Sequence, residues 1–542
     1  MKEIKNLKIE KIWYWWVGIA KTDDGKKILI KGWALPWSIV DIKITKKRSD
    51  FLEWHITKIH EYDKAYTDGE IFCPHFFSNL QNNLEVKVNY EVRESALGWK
   101  KSFSPLWQKA PSLSLGQTQG SGEILKHKIG CWWCKRQLIS YPKQLELKQQ
   151  IIEDCFRKIK DRPTTLPIVS SPAEKWYRNK IEFSFGVYIS AADEVDTRRN
   201  LGFHRQWEFS KIIDIDSCGL ISKKSNKVFE YIKKLCFESW LPTYDQKFHR
   251  WFFRHLVMRE WTNTDQLLIN LAIYPAANDD TEKLKKRRML KEKLKTDKFI
   301  QENITTFVIT YNAGLADIVK WPEIEVETLF WDGFIYDKLR FTPLDKQVLG
   351  EFTTESTFRI SPFSFFQTNT HGAEKLFETW ANAINKNIKW KILDLYCGTG
   401  SIGIHFLNIW IGDSLLWIDI VQEAIKDAEY NAEINWLKDK CKFIASPSEK
   451  ILKNHPEVMN ELNDIWLVII DPPREWLHKN VIERIENLKK ENNFELLYIS
   501  CNPTTMARDI ELFIEKWFKL KSLQPVDMFP QTHHIETVWV LV

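Results

Sequence analysis

The apolar positions of the chain change period along its length. Residues 1 to about 60 alternate apolar and polar in short runs (KIEKIWY, KKILIKG, SIVDIKITKK, WHITKIH), with reversals at Asp24-Gly25 and Leu35-Pro36. A period of two in short, evenly spaced runs predicts half-buried strands closing into a small antiparallel β-barrel. A helical period follows in QLELKQQIIEDCFRKIK, and then strand-type segments dominate: NKIEFSFGVYI, LGFHRQW, LLINLAIYP and TTFVITYN. Among them lies a charged helical stretch, DDTEKLKKRRMLKEKLKTD, best read as a solvated face. Beyond about residue 375, KILDLYCG, SLLWIDIV, KFIAS, WLVIIDPP, LLYISCN and TVWVLV are short apolar runs, mostly separated by amphipathic helices. That alternation predicts a doubly wound, Rossmann-like, mostly parallel sheet. The expected fold is therefore multidomain α/β: the barrel over 1–60, a central α+β domain over 61–374, and the doubly wound domain over 375–542.

Length and composition agree with several cores. At 542 residues, with 44% hydrophobic and 28% charged residues, the chain reads as an ordinary globular protein of more than one domain. No run of 18 apolar residues occurs, and MKEIKNLKIE lacks the apolar core of a signal peptide, so a cytoplasmic protein with no membrane partner is expected; a monomer is expected as well. A net charge of +6 permits a polyanionic partner without demanding one. In such a compartment the nine cysteines are thiols or metal ligands rather than disulfides.

Tryptophan changes the picture. The chain has 26 Trp and only 20 Gly, the latter about half the usual glycine share of ~7%. Trp15-Trp16, Trp132-Trp133, Trp207, Trp251, Trp331, Trp417, Trp476 and Trp517 stand where turns or close backbone approach call for a residue without Cβ. The expectation is that many of these positions are glycine in the living protein, through a codon that the source reads as Gly.

Candidate chemistry gathers in the last third. Leu393-Asp394-Leu395-Tyr396-Cys397-Gly398-Thr399-Gly400 ends an apolar strand and enters a helix, with Gly403 one turn on. Such a loop lets backbone approach a ligand, and Asp419, at the end of the next strand, is placed to bind ribose hydroxyls. Dinucleotide and adenosylmethionine sites share that logic. Ile470-Asp471-Pro472-Pro473-Arg474 closes a later strand, and Arg474 stands where an amino-directed methyltransferase would carry an aromatic. The strand after it ends Ser500-Cys501-Asn502-Pro503, and Thr532-His533-His534-Ile535-Glu536 precedes the last strand. A thiolate and a carboxylate at one ligand-binding edge suit covalent catalysis with proton removal.

DLYCGTG, IIDPPRE, ISCNPTTMARD, DMFPQTHHIETV, RISPFSFFQTN and KIEFSFG together resemble the RNA uridine-5 methyltransferase family, specifically its 23S ribosomal RNA members. The resemblance runs over nearly the whole chain. It implies S-adenosylmethionine as cofactor, Cys501 as nucleophile and Glu536 as base. It also implies Gln367, Asp394, Gly398, Gly400, Asp419 and Asp471 around the cofactor. Ribosomal RNA is the implied partner, with transfer RNA, or a decayed non-catalytic RNA-binding protein, as alternatives. YWWVGIAK and ALPWSIVDIKI resemble a TRAM domain if Trp16 and Trp37 stand for Gly.

Cys131 and Cys134 form a C-x-x-C, with Cys73 upstream and Cys218 downstream. Four soft thiolates suit zinc or iron–sulfur equally by spacing. The family resemblance implies a 4Fe–4S cluster on Cys73, Cys131, Cys134 and Cys218. A long insertion at about 76–126, with a Ser/Gly/Gln-rich stretch over 108–123, separates Cys73 from Cys131, where the family spacing is short. Cys155, Cys236 and Cys441 read as packing residues, and Cys397 as part of the glycine loop.

Overall fold

The computed structural model describes residues 3–22, 25, 27–31, 35–47, 52–61, 63, 66, 68–69, 72–73, 131, 134, 136–187, 199–205, 208–244, 252–275, 281–314, 319, 324–341, 354–385, 391–448, 460–472 and 477–542. The insertion at 76–126, Trp132, Trp133, Trp207, Trp251, Pro473, Arg474 and Trp476 lie outside the described residues.

The alternating N-terminal runs form one six-stranded sheet: β1 (Glu3–Lys8), β2 (Lys11–Trp13), β3 (Val17–Lys21), β4 (Lys27–Lys31), β5 (Ile39–Lys47) and β6 (Leu52–Glu61). Its order is β1-β5-β6-β4-β3-β2. Alternation puts Ile12, Ala20, Ile30, Val40 and Ile42 inside.

Helix α1 (Tyr141–Phe156) follows, started by Ser140 with Pro142 in its first turn. Its buried face carries Leu147, Ile151, Ile152 and Phe156 at helical spacing, and also two polar residues, Gln144 and Lys148. Phe156 meets Trp539 of the last strand edge-on at 5.1 Å, which docks α1 on the C-terminal sheet. The first sheet, α1 and one face of the C-terminal sheet share a single apolar core.

The central region holds a second sheet of seven strands. These are β7 (Lys180–Val187), β8 (Arg199–Arg205), β9 (Glu208–Asp214), β10 (Phe253–Trp261), β11 (Gln266–Ile273), β12 (Thr306–Tyr311) and β13 (Glu325–Phe330). Their order is β13-β12-β11-β10-β7-β8-β9, with helices α2 (Lys223–Glu238), α3 (Thr281–Thr296) and α4 (Lys298–Asn303). The basic stretch is α3, in which only Leu290 and Leu294 are buried, so it is a solvated helix as its composition predicts. A hairpin of β14 (Ile335–Phe341) and β15 (Thr354–Ile360) leads to α5 (Thr370–Ala383).

The C-terminal sheet is β16 (Lys391–Leu395), β17 (Ser414–Asp419), β18 (Cys441–Ala445), β19 (Ile465–Ile470), β20 (Glu495–Ser500), β21 (Leu520–Val526) and β22 (Glu536–Leu541). The order is β18-β17-β16-β19-β20-β22-β21, parallel through β20, with β22 antiparallel to both neighbours. Helices α6 (Ser401–Asn408), α7 (Gln422–Ile434), α8 (Lys479–Glu491) and α9 (Pro503–Glu515) accompany it. Strand order reverses between β16 and β19, where open α/β sheets bind ligands at their carboxyl ends. Among the described residues no helix is long and apolar enough to cross a membrane.

Candidate active site

Strand pairing brings the thiol and the carboxylate together. Ser500, the last residue of β20, pairs with Thr537 of β22. Continued by one step, that register sets Cys501 beside Glu536, the first residue of β22, which also pairs with Val526. Cys501 is half-buried and Glu536 buried. Directly after Cys501, the Asn502 carboxamide oxygen caps α9 by accepting from the N–H groups of Thr504 (3.2 Å) and Thr505 (3.4 Å). Pro503 takes the first helical position, and the partial positive charge of the α9 N-terminus favours an anion at this edge. Sequence reasoning did not anticipate Tyr14 here: its hydroxyl, from the N-terminal sheet region, donates to the Cys501 carbonyl at 3.0 Å.

The glycine loop lies between β16 and α6. Tyr396 (φ 69°), Gly398 (φ 54°) and Gly400 (φ 78°) all adopt left-handed backbone, and the place of a Cβ on Gly398 is open space. Asp419 braces the loop, accepting from Gly398 N at 2.9 Å and from Val421 N at 2.8 Å. Asp394 is fully buried with neither carboxylate oxygen partnered. Burial, then the charges of Asp471 and Asp419, raise its pKa well above the ordinary carboxylate range. Burial pushes Asp471 up to about 7. Gln367 is half-buried, its carbonyl accepting from Asn179 Nδ2 at 3.0 Å. Phe365, which sequence reasoning passed over, is 66% exposed, and its carbonyl accepts from the Thr399 hydroxyl at 3.1 Å. The unpartnered Asp394 carboxyl, with Asp419 and Asp471 near it and an open backbone approach at Gly398, suits a cationic, hydroxyl-bearing ligand.

Beneath this loop sits Trp417, fully buried, with no partner for its indole N–H. A Cβ on Gly400 would meet its ring at 2.8 Å, and one on Gly403 would meet Leu415 at 2.3 Å and the Trp417 nitrogen at 2.5 Å. With the Trp417 ring in place, a Cβ at either glycine would force its neighbours to shift.

Cys73, Cys131, Cys134 and Cys218 are all buried and free of disulfides. They converge: the Cys134 thiol is raised well above its ordinary value, first by burial and then by Cys73, Cys218 and Cys131. Two amides that sequence reasoning missed hold the pocket. The Gln137 oxygen accepts from Cys73 N at 2.9 Å while its nitrogen donates to the Cys134 carbonyl at 3.1 Å. Asn226 accepts from Cys218 N at 2.7 Å and donates to the Cys218 carbonyl at 2.9 Å. Among the described residues no group of three or more His, Cys, Asp or Glu stands close enough to hold a metal ion, so the thiols converge short of ligand spacing. By chemistry alone, four thiols are donors of the kind a thiophilic centre takes, but their spacing here does not form such a site. Burial raises Cys155 and Cys441 to about 12, as packing thiols should behave. Cys397 is buried in the loop, and its thiol is likewise raised, by burial first.

Residues 346–542 match the family described as tRNA (Uracil-5-)-methyltransferase. An uncharacterized RNA methyltransferase of Caldanaerobacter subterraneus is 32% identical over 413 residues, covering 76% of this chain and 82% of its own length. Another, of Bacteroides thetaiotaomicron, is 30% identical over 532 residues, covering 96% of this chain and 98% of its own. Among solved structures, the Pyrococcus abyssi tRNA (uracil-54, C5)-methyltransferase in complex with S-adenosyl-L-homocysteine shares the fold, with a TM-score of 0.62 at 20% identity over 99% of both chains. The chain belongs to the RNA uracil-5 methyltransferase family.

Proposed function

We propose that this protein methylates carbon 5 of a uridine in 23S ribosomal RNA, with Cys501 as nucleophile and Glu536 as base. The observation that carries this reading is the β20–β22 pairing, which ends with a thiol and a carboxylate at one ligand edge. Carbon 5 of uracil is too weak a nucleophile on its own. The Cys501 thiolate adds to carbon 6, and the electron pair moves to carbon 5 as an enolate. Bound S-adenosylmethionine supplies the electrophilic methyl that carbon 5 then takes. Glu536 removes the proton from carbon 5, the double bond re-forms, and the Cys501 sulfur leaves as thiolate.

Asp394, Gly398, Gly400, Asp419, Asp471 and Gln367 are read as the cofactor site. The unpartnered Asp394 carboxylate and the open side of Gly398 support that reading. The sheet within 1–60 is read as a TRAM-like OB-fold, the region 61–374 as a central RNA-binding domain, and 375–542 as the catalytic domain. The tie from Tyr14 to Cys501 supports RNA gripped by the first acting at the third. The target base must leave its stack to reach Cys501, and the exposed Phe365 ring offers a surface against which RNA can be held. Cys73, Cys131, Cys134 and Cys218 would hold a 4Fe–4S cluster, a reading that rests on the family resemblance and on four buried, disulfide-free thiols of which three act electrostatically on Cys134.

A second reading, uridine-5 methylation of transfer RNA, is favoured by the description of the matched family. Labelled methyl transfer to unmodified transcripts of the two RNAs separates them. Transfer to 23S transcript, lost in Cys501→Ala, is expected; transfer to tRNA transcript alone overturns the ribosomal assignment. Retained activity in Cys501→Ala overturns the mechanism.

A further inference from the structure

The segment 527–535, which delivers Glu536 to the edge, is gripped by side chains from outside its own sheet. Lys148, wholly buried on α1, donates to Asp527 Oδ1 at 2.7 Å and to the Phe529 carbonyl at 3.2 Å. One turn earlier, Gln144 makes a reciprocal amide pair with Gln531. Its nitrogen donates to Gln531 Oε1 at 2.8 Å and its oxygen accepts from Gln531 N at 3.0 Å. Arg136 N donates to the Gln531 carbonyl at 3.2 Å, and the Tyr177 hydroxyl to that of Pro530 at 2.9 Å. Gln531 itself is left-handed (φ 67°), a conformation that persists only where neighbours over-determine it. A buried ion pair is poor material for stability, because apolar groups of the same shape do as well or better. Its value lies in fixing geometry.

We propose that Gln144 and Lys148 are positioning residues: they clamp the 527–535 loop so that the Glu536 carboxylate meets carbon 5 of the adduct. This rests on the reading of Glu536 as base. It predicts a particular defect, in which the thiol adds, the methyl transfers, and proton removal stalls.

The test uses full-length protein, labelled S-adenosylmethionine and the RNA transcript it methylates. Gln144→Leu, Lys148→Met, and Lys148→Met combined with Asp527→Leu are compared for melting, S-adenosylhomocysteine binding, turnover and covalent RNA adduct. The apolar pair should restore melting but not turnover, which stays at least about tenfold down, with adduct accumulating and S-adenosylhomocysteine binding unchanged. Recovery of turnover together with melting would make the clamp merely structural and overturn the proposal. If the lysine variants do not fold, Gln144→Leu decides by the same adduct-to-turnover ratio. Glu536→Gln is the internal control. If it traps no adduct, the assignment of the base has failed; if it traps adduct and the clamp variants do not, only the clamp has failed.

A second, independent observation concerns tryptophan. Among the described residues, the non-glycine positions with positive φ include Trp16, Trp37, Trp176, Trp240, Trp331, Trp410, Trp436 and Trp517. Bulky L-residues rarely adopt this conformation. Four of the eight occupy one motif, the residue just past a helix C-cap: Trp240 after α2, Trp410 after α6, Trp436 after α7 and Trp517 after α9. At Trp410, Trp436 and Trp517 both bonds of a Schellman turn are present. Trp410 N donates to Leu407 O and Ile411 N to Phe406 O; Trp436 N to Glu433 O and Leu437 N to Ala432 O; Trp517 N to Ile514 O and Phe518 N to Phe513 O. This is the glycine position of that turn. Their indoles point into solvent, at 73%, 93% and 90% exposure, so they are not recruited by packing.

We infer that these eight positions are glycine in the protein as its source cell makes it, through a codon that the source reads as glycine. Peptide mass spectrometry of the protein from source cells, set beside its coding sequence, tests this. Glycine masses at the eight positions, on a codon other than UGG, are expected. Tryptophan masses, or UGG at these positions, overturn it.

Discussion

The catalytic edge and the cysteine pocket are both assembled from distant stretches of chain, but by different means. At the edge, backbone pairing does the positioning: Ser500 against Thr537 and Val526 against Glu536 fix where the thiol and carboxylate stand. In the pocket, two side-chain amides do it, Gln137 bridging Cys73 to Cys134 and Asn226 enclosing Cys218. A register is written over many residues and keeps the two strands in place when one side chain is lost, although the aim of the Glu536 carboxylate still depends on how the 527–535 loop is held. A pocket hung on single amides has no such reserve. The edge should therefore lose chemistry without losing structure, and the pocket the reverse.

The largest effect should come from Cys501→Ala: with the proposed nucleophile gone, methyl transfer should be abolished while the fold melts as before. Glu536→Gln comes next, with turnover down roughly 10²–10⁴-fold and covalent RNA adduct trapped on denaturing gels. Gln137→Leu acts oppositely. It strands the N–H of Cys73 and the carbonyl of Cys134, costing about 1–3 kcal/mol in a denaturant titration. Turnover per folded molecule should hold. A Gln137→Leu protein of unchanged stability would break the comparison.

How much of this was legible beforehand follows the same division. Alternation and apolar runs made most strands of the first and last sheets readable, but not β1 or β21, whose sequences EIKNLK and LKSLQPV carry little apolar period, and not the parallel pairing of β4 with β6. Cys501 and Glu536 could be read as strand-end groups. Their pairing needed the order β20-β22-β21, which no local period encodes. Gln144 and Lys148 were hidden inside an ordinary helical pattern, because a polar residue on an apolar face shows its purpose only when its partners, Gln531 and Asp527, are known. Gln137 and Asn226 were missed for the same reason. The solvated character of α3 was visible in composition alone.

A smaller effect concerns pH at the glycine loop, the proposed cofactor site. Asp471, raised to about 7, and Asp394, raised well above the ordinary carboxylate range by burial and its acidic neighbours, hold protons in the folded state that the unfolded chain releases near its ordinary carboxylate value. Stability from these groups is thus present at low pH and lost as pH rises through about 7. Without ligand, the protein should melt lower at pH 8 than at pH 6. S-adenosylmethionine, being cationic, should bind more tightly as the same carboxylates ionise, and the neutral sulfide S-adenosylhomocysteine should gain less. Equal pH slopes for the two ligands would show that the sulfonium does not face these carboxylates. Asp471→Asn should flatten both trends.

The smallest effect sharpens the contrast between backbone-defined and side-chain-defined sites. Trp517 is 90% exposed at φ 69°, with its N–H and that of Phe518 closing the C-terminus of α9, the helix that starts beside Cys501. Nothing there depends on an indole, whereas the left-handed backbone penalises any Cβ. Trp517→Gly should therefore stabilise the protein, by on the order of 1 kcal/mol, offset in part by the entropy glycine gains when unfolded. Trp380 is the control: it is fully buried, packs on Phe377 with ring centroids 4.6 Å apart, and its replacement by glycine should destabilise. If thermal melts show Trp517→Gly destabilising as well, the indole has a structural use, and the turn after α9 is shaped by its side chain rather than by its backbone.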